Sequence, residues 1–160
     1  ISYALTRRLG LWKTNAVDSF ALYENQTRGT IPGEGVAFFM LSAARGDHDM
    51  AVLKDVDTFF NPDRDRDDIR LHIEAFLEKN NLTPGEADLA LLGMNGDSRT
   101  DHIYTGLMNG IFKAVPCAGY KHLCGEYDTS SSFAYGWPQL CLRHSEHRLM
   151  PCFQIKNLNP

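Results

Sequence analysis

Short apolar runs bordered by glycine, alternating with stretches of helical periodicity, constrain this chain more than any other feature. "GEGVAFFMLSA" carries a continuous apolar run from Val36 to Leu41 behind two glycines, the pattern of a strand buried on both faces. "MAVLKDVDTFF", Met50 to Phe60, alternates well enough for a second strand, with Gly46 to Asp49 as the turn of a hairpin. "NPDRDRDD" then supplies acids to the N-terminus of a helix from about Asp67 to Lys79, whose apolar stripe is Ile69, Ile73, Phe76 and Leu77. "NLTPGEAD" breaks that helix, and "LALLGMNG" predicts a short buried strand ending in a glycine loop. A further helix over Asp101 to Phe112 aligns Ile103, Leu107 and Ile111, with Tyr104 and Met108 beside them. "KAVPCAGY" returns as a short strand or extended segment.

The last element starts at Thr129 or Ser130, either of which can cap a helix, and runs to about Arg143. Phe133, Ala134, Tyr135, Trp137, Leu140, Cys141 and Leu142 cover most of its circumference, which predicts a helix enclosed on all sides, with a kink at Pro138. Strands alternating with helices around one buried central helix predict a layered α/β architecture. The first thirty residues have no sustained period and read as a loop-rich lead-in with short helical pieces.

At 160 residues the chain suffices for one domain, 1–160, with a real core. Sixteen basic against twenty acidic side chains leave a charge of −4, too mixed to call for nucleic acid. No apolar run approaches the roughly 18 to 20 residues of a membrane-spanning helix, and no secretory-type leader is evident, so the cytosol is the expected compartment and no membrane partner is expected. Cys117, Cys124, Cys141 and Cys152 read as buried free thiols rather than disulfides. A start at Ile1 and an end in "NLNP" predict a piece excised from a longer protein.

Three constellations could carry chemistry. Asn95 and His122 each follow a short strand and each lies close to a glycine, in "MNGD" and "KHLCGE", where a crevice beyond strand ends binds ligands. Cys117, His122, Cys124, His144, His147 and Cys152 offer metal-type donors, yet C-x4-H-x-C followed by H-x2-H-x4-C matches no usual zinc knuckle or ribbon. Cys124 could act as a nucleophile beside His122, since i and i+2 point the same way on an extended segment, but no third group orients the histidine. Against all three stands plain structure: "NGD" as a turn, "GEG" as a bulged strand start, and Glu34 as a turn carboxylate. The residues alone leave these alternatives open; no metal or cofactor is expected.

The order of the motifs adds a resemblance. "TRGTIPGEGVAFFMLS" resembles the stretch of β-ketoacyl-[acyl-carrier-protein] synthases in which "RDGFVxGEGA" leads into an apolar strand. "ADLALLGMNGDSRTD" is similar to their strand leading into "HGTxTxxxD", and "YKHLCGEYDTSSSFA" to their "GHxxGAxG" segment with its buried helix. The resemblance spans roughly Gly29 to Leu142 in family order and implies the C-terminal half of a thiolase-like fold, with α-β-α-β-α layers, a mixed sheet and a usual dimer. It implies decarboxylative condensation of acyl and malonyl thioesters on acyl carrier protein. His122 matches the second of the family's two oxyanion-stabilising histidines. Asn95 stands where the first would be, Asp97 where a threonine would be, and Cys117 where a lysine usually lies. Two roles follow: a fragment of a condensing enzyme, inactive without the half that carries the nucleophilic cysteine, or a degenerate, chain-length-factor-like subunit paired with an active ketosynthase.

Overall fold

The computed structural model describes residues 3–24, 26–47, 49–60 and 66–136. Its centre is a strand–helix–strand unit. Strand β1, Ala90–Leu92, pairs in parallel with β2, Cys117–Gly119, in the register Ala90↔Cys117, Leu91↔Ala118 and Leu92↔Gly119. Helix α3, Asp101–Asn109, makes the crossover between them. Parallel pairing requires such a crossover, because a tight turn can only join antiparallel neighbours. The sheet expected to be mixed is therefore, among the described residues, two-stranded and parallel.

Helix α3 ends three residues earlier than its periodicity predicts. Gly110 turns the chain out of the helix, and the amide of Phe112 returns to the carbonyl of Leu107 at 3.0 Å. Leu107 is buried as expected, and joins Leu92, Met94, Val115, Ala118 and Tyr120 in the core. Helix α2, Arg66–Lys79, falls where the sequence places it, with Ile69, Ile73, Phe76 and Leu77 on its half-buried face. Its end is fixed by Asn81, at φ 53°, with the amide of Leu82 on the carbonyl of Leu77 at 2.9 Å.

The two strands expected at Val36–Leu41 and Met50–Phe60 do not form. The turn between them does: the amide of Asp49 donates to the Gly46 carbonyl at 3.2 Å, and the amide of Gly46 to Asp49 Oδ2 at 2.7 Å. A strand exists only where another strand completes its ladder, and among the described residues none lies beside either run. The first run is instead exposed throughout, with Phe38 at 92% and Met40 at 99%. The second lies against α2 through polar contacts, Lys79 to Asp55 at 2.8 Å and His72 to Asp57 at 3.1 Å, and a Phe59–His72 stack at 3.9 Å.

The lead-in has the short helical pieces foreseen: α1, Tyr3–Arg8, and a 3-10 turn over Ser19–Ala21 capped by Asp18, which accepts from the amide of Phe20 at 2.9 Å. A closing helical stretch covers 130–136. It starts where predicted but is not enclosed on all sides, since Tyr135 is 55% exposed; no second sheet covers that face among the described residues. Trp137, Pro138, Leu140, Cys141, Leu142 and Arg143 lie outside the described residues. Among those described, no helix is long and apolar enough to cross a membrane.

Candidate functional site

Three loops meet beyond the carboxyl ends of β1 and β2. The first is 93–97, leaving β1. Buried Asp101, at the start of α3, shapes it by accepting from the amides of Asn95 at 3.0 Å and Gly96 at 2.8 Å. Gly96 sits at φ 80°, and an added Cβ would meet the side chain of Leu22 at 2.6 Å, so glycine is required for conformation and for space. The second loop contains α4, Lys121–Cys124, and the residues after it. The third is 27–35, which bridges to both of the others: Thr27 pairs with Asp97 and Pro32 with Glu126.

The glycines of "GEG" and "KHLCGE" explain this junction. The amide of Glu126 donates to the Ile31 carbonyl at 2.9 Å, and that of Gly33 to the Glu126 carbonyl at 3.1 Å. A Cβ on Gly125, at φ 70°, would lie 2.7 Å from the Cα of Gly33, so two backbones touch where neither residue carries a side chain. Gly35 similarly leaves room for Tyr127, whose hydroxyl would lie 2.6 Å from an added Cβ. The "GEG" stretch is thus a loop in contact with α4 rather than a strand start.

Both candidate residues lie at this junction, each three positions beyond the paired Leu92 and Gly119. The Asn95 side chain is held at both ends. Its Oδ1 accepts from the amide of Asp97 at 3.1 Å, and its Nδ2 donates to Glu126 Oε2 at 2.9 Å. That pattern fixes which end of the amide is nitrogen and leaves the second hydrogen of Nδ2 for another acceptor. The backbone of Asn95 is held as well, through Thr30 Oγ1 donating to its carbonyl at 2.6 Å. Lys13 spans from Thr27 Oγ1 at 2.9 Å to the Gly96 carbonyl at 2.8 Å.

Behind Asn95 lies a charged cluster that sequence reasoning missed. Lys121, 7% exposed at its side chain, contacts Glu126 Oε1 at 2.5 Å and also bonds Ser130 Oγ. Ser130 in turn donates to Glu126 Oε1 at 3.0 Å. The available signal was a lysine and a glutamate five apart around a tight glycine turn, a spacing with no helical or strand rationale. Asp97 is drawn away to Arg99, at 2.5 Å, which holds its carboxyl below the usual range and makes it a loop clamp.

His122 faces the lead-in. Its ring meets Tyr23 edge-on, with centroids 5.4 Å apart at 71°, and Phe20 at 6.1 Å and 60°. Nδ1 lies 3.4 Å from the Tyr23 hydroxyl, and burial pushes the ionisation of that phenol upward. Gly119 provides the seat for this phenol, since a Cβ there would meet its oxygen at 2.5 Å.

The chain matches no family model, no curated protein and no solved structure. What the site can do must follow from its own groups, and one of the constellations considered on sequence loses its geometry. His122 and Cys124 lie within a helix, not an extended segment, so i and i+2 point apart. The Cys124 thiol is pushed up by burial and directed to the carbonyls of Gly125 at 3.4 Å and Tyr120 at 3.8 Å, which suits a packed thiol and not a nucleophile. No group of three or more histidine, cysteine, aspartate or glutamate side chains among the described residues could hold a metal ion. His144, His147 and Cys152 lie outside the described residues. What remains at the strand ends is a pair of candidate donors, an amide and an imidazole, beside an ion pair whose lysine is buried.

Proposed function

We propose that the chain is the C-terminal half of a β-ketoacyl-[acyl-carrier-protein] synthase of thiolase-like fold, with His122 and Asn95 as oxyanion donors. One observation carries this reading: the three stretches that resemble the family's motifs, far apart in sequence, meet at one end of a parallel strand pair. Its substrates are thioesters on acyl carrier protein, and the thiolate that accepts the acyl group belongs to the other half. Loss of carbon dioxide from the malonyl thioester leaves its electron pair as an enolate, with negative charge on the thioester oxygen. The enolate carbon then attacks the acyl carbonyl on cysteine, forming the carbon–carbon bond and expelling the thiolate. Donors aimed at the enolate oxygen stabilise it by about 3 to 4 kcal/mol each.

Neither residue needs to shuttle a proton for this step, and an amide could not do so near neutral pH. His122→Ala in the full-length protein is expected to lower malonyl decarboxylation by roughly 10² to 10³-fold with the circular dichroism spectrum unchanged. Unaltered turnover in that variant would remove the imidazole from the mechanism.

A second reading is favoured by the two bonds that hold the Asn95 side chain, because a residue so engaged also serves structure alone. The chain would then belong to a chain-length-factor-like partner of an active ketosynthase, in a hetero-dimer rather than a homo-dimer. The two readings separate on the other half. A cysteine at the turn into its buried helix supports catalysis; glutamine or another residue there supports the partner role.

A further inference from the structure

The polarity of two neighbours decides how the Asn95 amide is turned. A backbone N–H can only donate, and a carboxylate can only accept. The amide of Asp97 donates to Asn95 Oδ1 at 3.1 Å, and Glu126 Oε2 accepts from Asn95 Nδ2 at 2.9 Å. Turning the side chain over would set donor against donor at Asp97 and acceptor against acceptor at Glu126. The two oxygens of Glu126 are divided between tasks. Oε1 accepts from the Lys121 ammonium at 2.5 Å and from the Ser130 hydroxyl at 3.0 Å, which fills its two lone pairs and leaves Oε2 for the amide.

We propose that Glu126 is a positioning residue that, paired with Lys121, keeps one hydrogen of Asn95 Nδ2 on its carboxylate and so leaves the other to donate to an oxyanion. The inference rests on the oxyanion role given to Asn95 above and adds the residue that prepares it. Three further observations support it. Both backbone polar groups of Glu126 are held by the 27–35 loop, its amide on the Ile31 carbonyl at 2.9 Å and its carbonyl under the Gly33 amide at 3.1 Å, so the base of the side chain is fixed. Lys121 also donates to Ser130 Oγ, which closes a triangle around Oε1, and both Lys121 and Ser130 are buried, so water does not compete there. On the other side, the Asn95 amide donates to Asp101 Oδ1 at 3.0 Å and its carbonyl accepts from Thr30 Oγ1 at 2.6 Å. A donor set in place before charge develops needs no reorganisation when it does.

The test reads the amide itself. In the chain labelled with 15N-asparagine, the two hydrogens of a side-chain nitrogen give separate signals, and Asn95→Ser identifies the pair by its loss. The wild type is expected to show one Asn95 hydrogen shifted downfield and protected from exchange with water, the one on Glu126, and its twin exchanging rapidly. Lys121→Met combined with Glu126→Leu trades the ion pair for apolar groups, an exchange that a fold commonly tolerates, and removes the acceptor. That double variant is expected to give both hydrogens the shifts and exchange rates of a free asparagine side chain, and in the full-length protein to lower kcat for decarboxylation about tenfold with KM unchanged. Lys121→Met alone keeps the carboxylate and is expected to keep the protected hydrogen. Free-asparagine signals in the wild type overturn the proposal. So do a protected hydrogen that survives in the double variant, its loss in Lys121→Met alone, and an unchanged kcat once the bond is gone. If the double variant does not fold, the wild-type spectrum still decides, and Glu126→Asp, which keeps the charge but withdraws it by one carbon, supplies the perturbation. Loss of the oxyanion role is a separate outcome: Asn95→Ala with unaltered turnover would refute that role while leaving the orientation of the amide standing.

Discussion

Lys121 and Glu126 form the least forgiving pair of side chains at the strand ends, and their exposures make them unequal. The lysine side chain is 7% exposed and the glutamate 28%. Removing the glutamate charge strands an ammonium where water cannot reach it, whereas removing the lysine leaves a carboxylate that still accepts from Asn95 and Ser130. Breaking a buried pair from the side that leaves an uncompensated charge costs about 3 to 5 kcal/mol. Glu126→Gln is therefore expected to destabilise by about 3 kcal/mol and Lys121→Met by about half of that, both measured by urea unfolding. The reverse order would show that the pair does not hold the junction as described. This cluster was not legible in the sequence, because its members belong to no period: Lys121 and Glu126 flank a glycine at positive φ, and Ser130 resembled a helix cap. Asn95 and His122 were legible because glycine turns after apolar runs mark strand ends. Tyr23 was not, because the lead-in reads as loop and nothing local to it announces a contact ninety-nine residues away.

At the level of elements, the junction between β1 and α3 depends on one carboxyl group. Asp101 accepts two backbone amides, from Asn95 and Gly96, yet burial outweighs these bonds and raises its ionisation above the ordinary value of 3.8. For an acid raised in the folded state, the folded protein holds more protons than the unfolded one between the two values. Stability contributed by this group thus falls as pH rises through that window. Asp101→Asn keeps one acceptor but turns an amide donor against the second backbone N–H, at a cost of about 1 to 3 kcal/mol. The variant also loses the slope, so its deficit relative to wild type is expected to narrow between pH 4 and 7, read by denaturant titration at each pH. A deficit that widens over that range would mean the carboxyl is stabilised in its charged form. Elements whose partners are near in sequence were legible: α2 from its stripe and acids, β1 and β2 from their glycine stops, α3 from its period. The runs 36–41 and 50–60 carry equally good strand patterns and form none. Pattern records a preference for two-sided burial; a ladder needs a second strand, and that requirement is nonlocal.

For the molecule as a whole, those unpaired runs set the behaviour in solution. Val36, Phe38, Met40 and Leu41 are 76, 92, 99 and 78% exposed, so an apolar run of strand-like pattern faces water, and Phe60, in the second run, is 89% exposed. Surfaces of this kind mark an interface or an association hazard. In the proposed architecture, a run after "GEG" is a strand of the layered sheet, which would remove these side chains from water. Where no sheet covers them, burial against another copy is the remaining route, favoured by roughly 25 cal/mol for each Å² of apolar surface withdrawn. The chain is accordingly expected to scatter light as a species whose mass rises with concentration across the micromolar to millimolar range. Phe38→Glu combined with Met40→Glu should return it toward the single-chain mass, because both side chains are nearly fully exposed and neither substitution disturbs the core. A constant single-chain mass in the unaltered protein would mean that this surface tolerates water as it stands. The strand pattern at 36–41 would then have lost its physical motive, and with it one of the supports for the layered architecture.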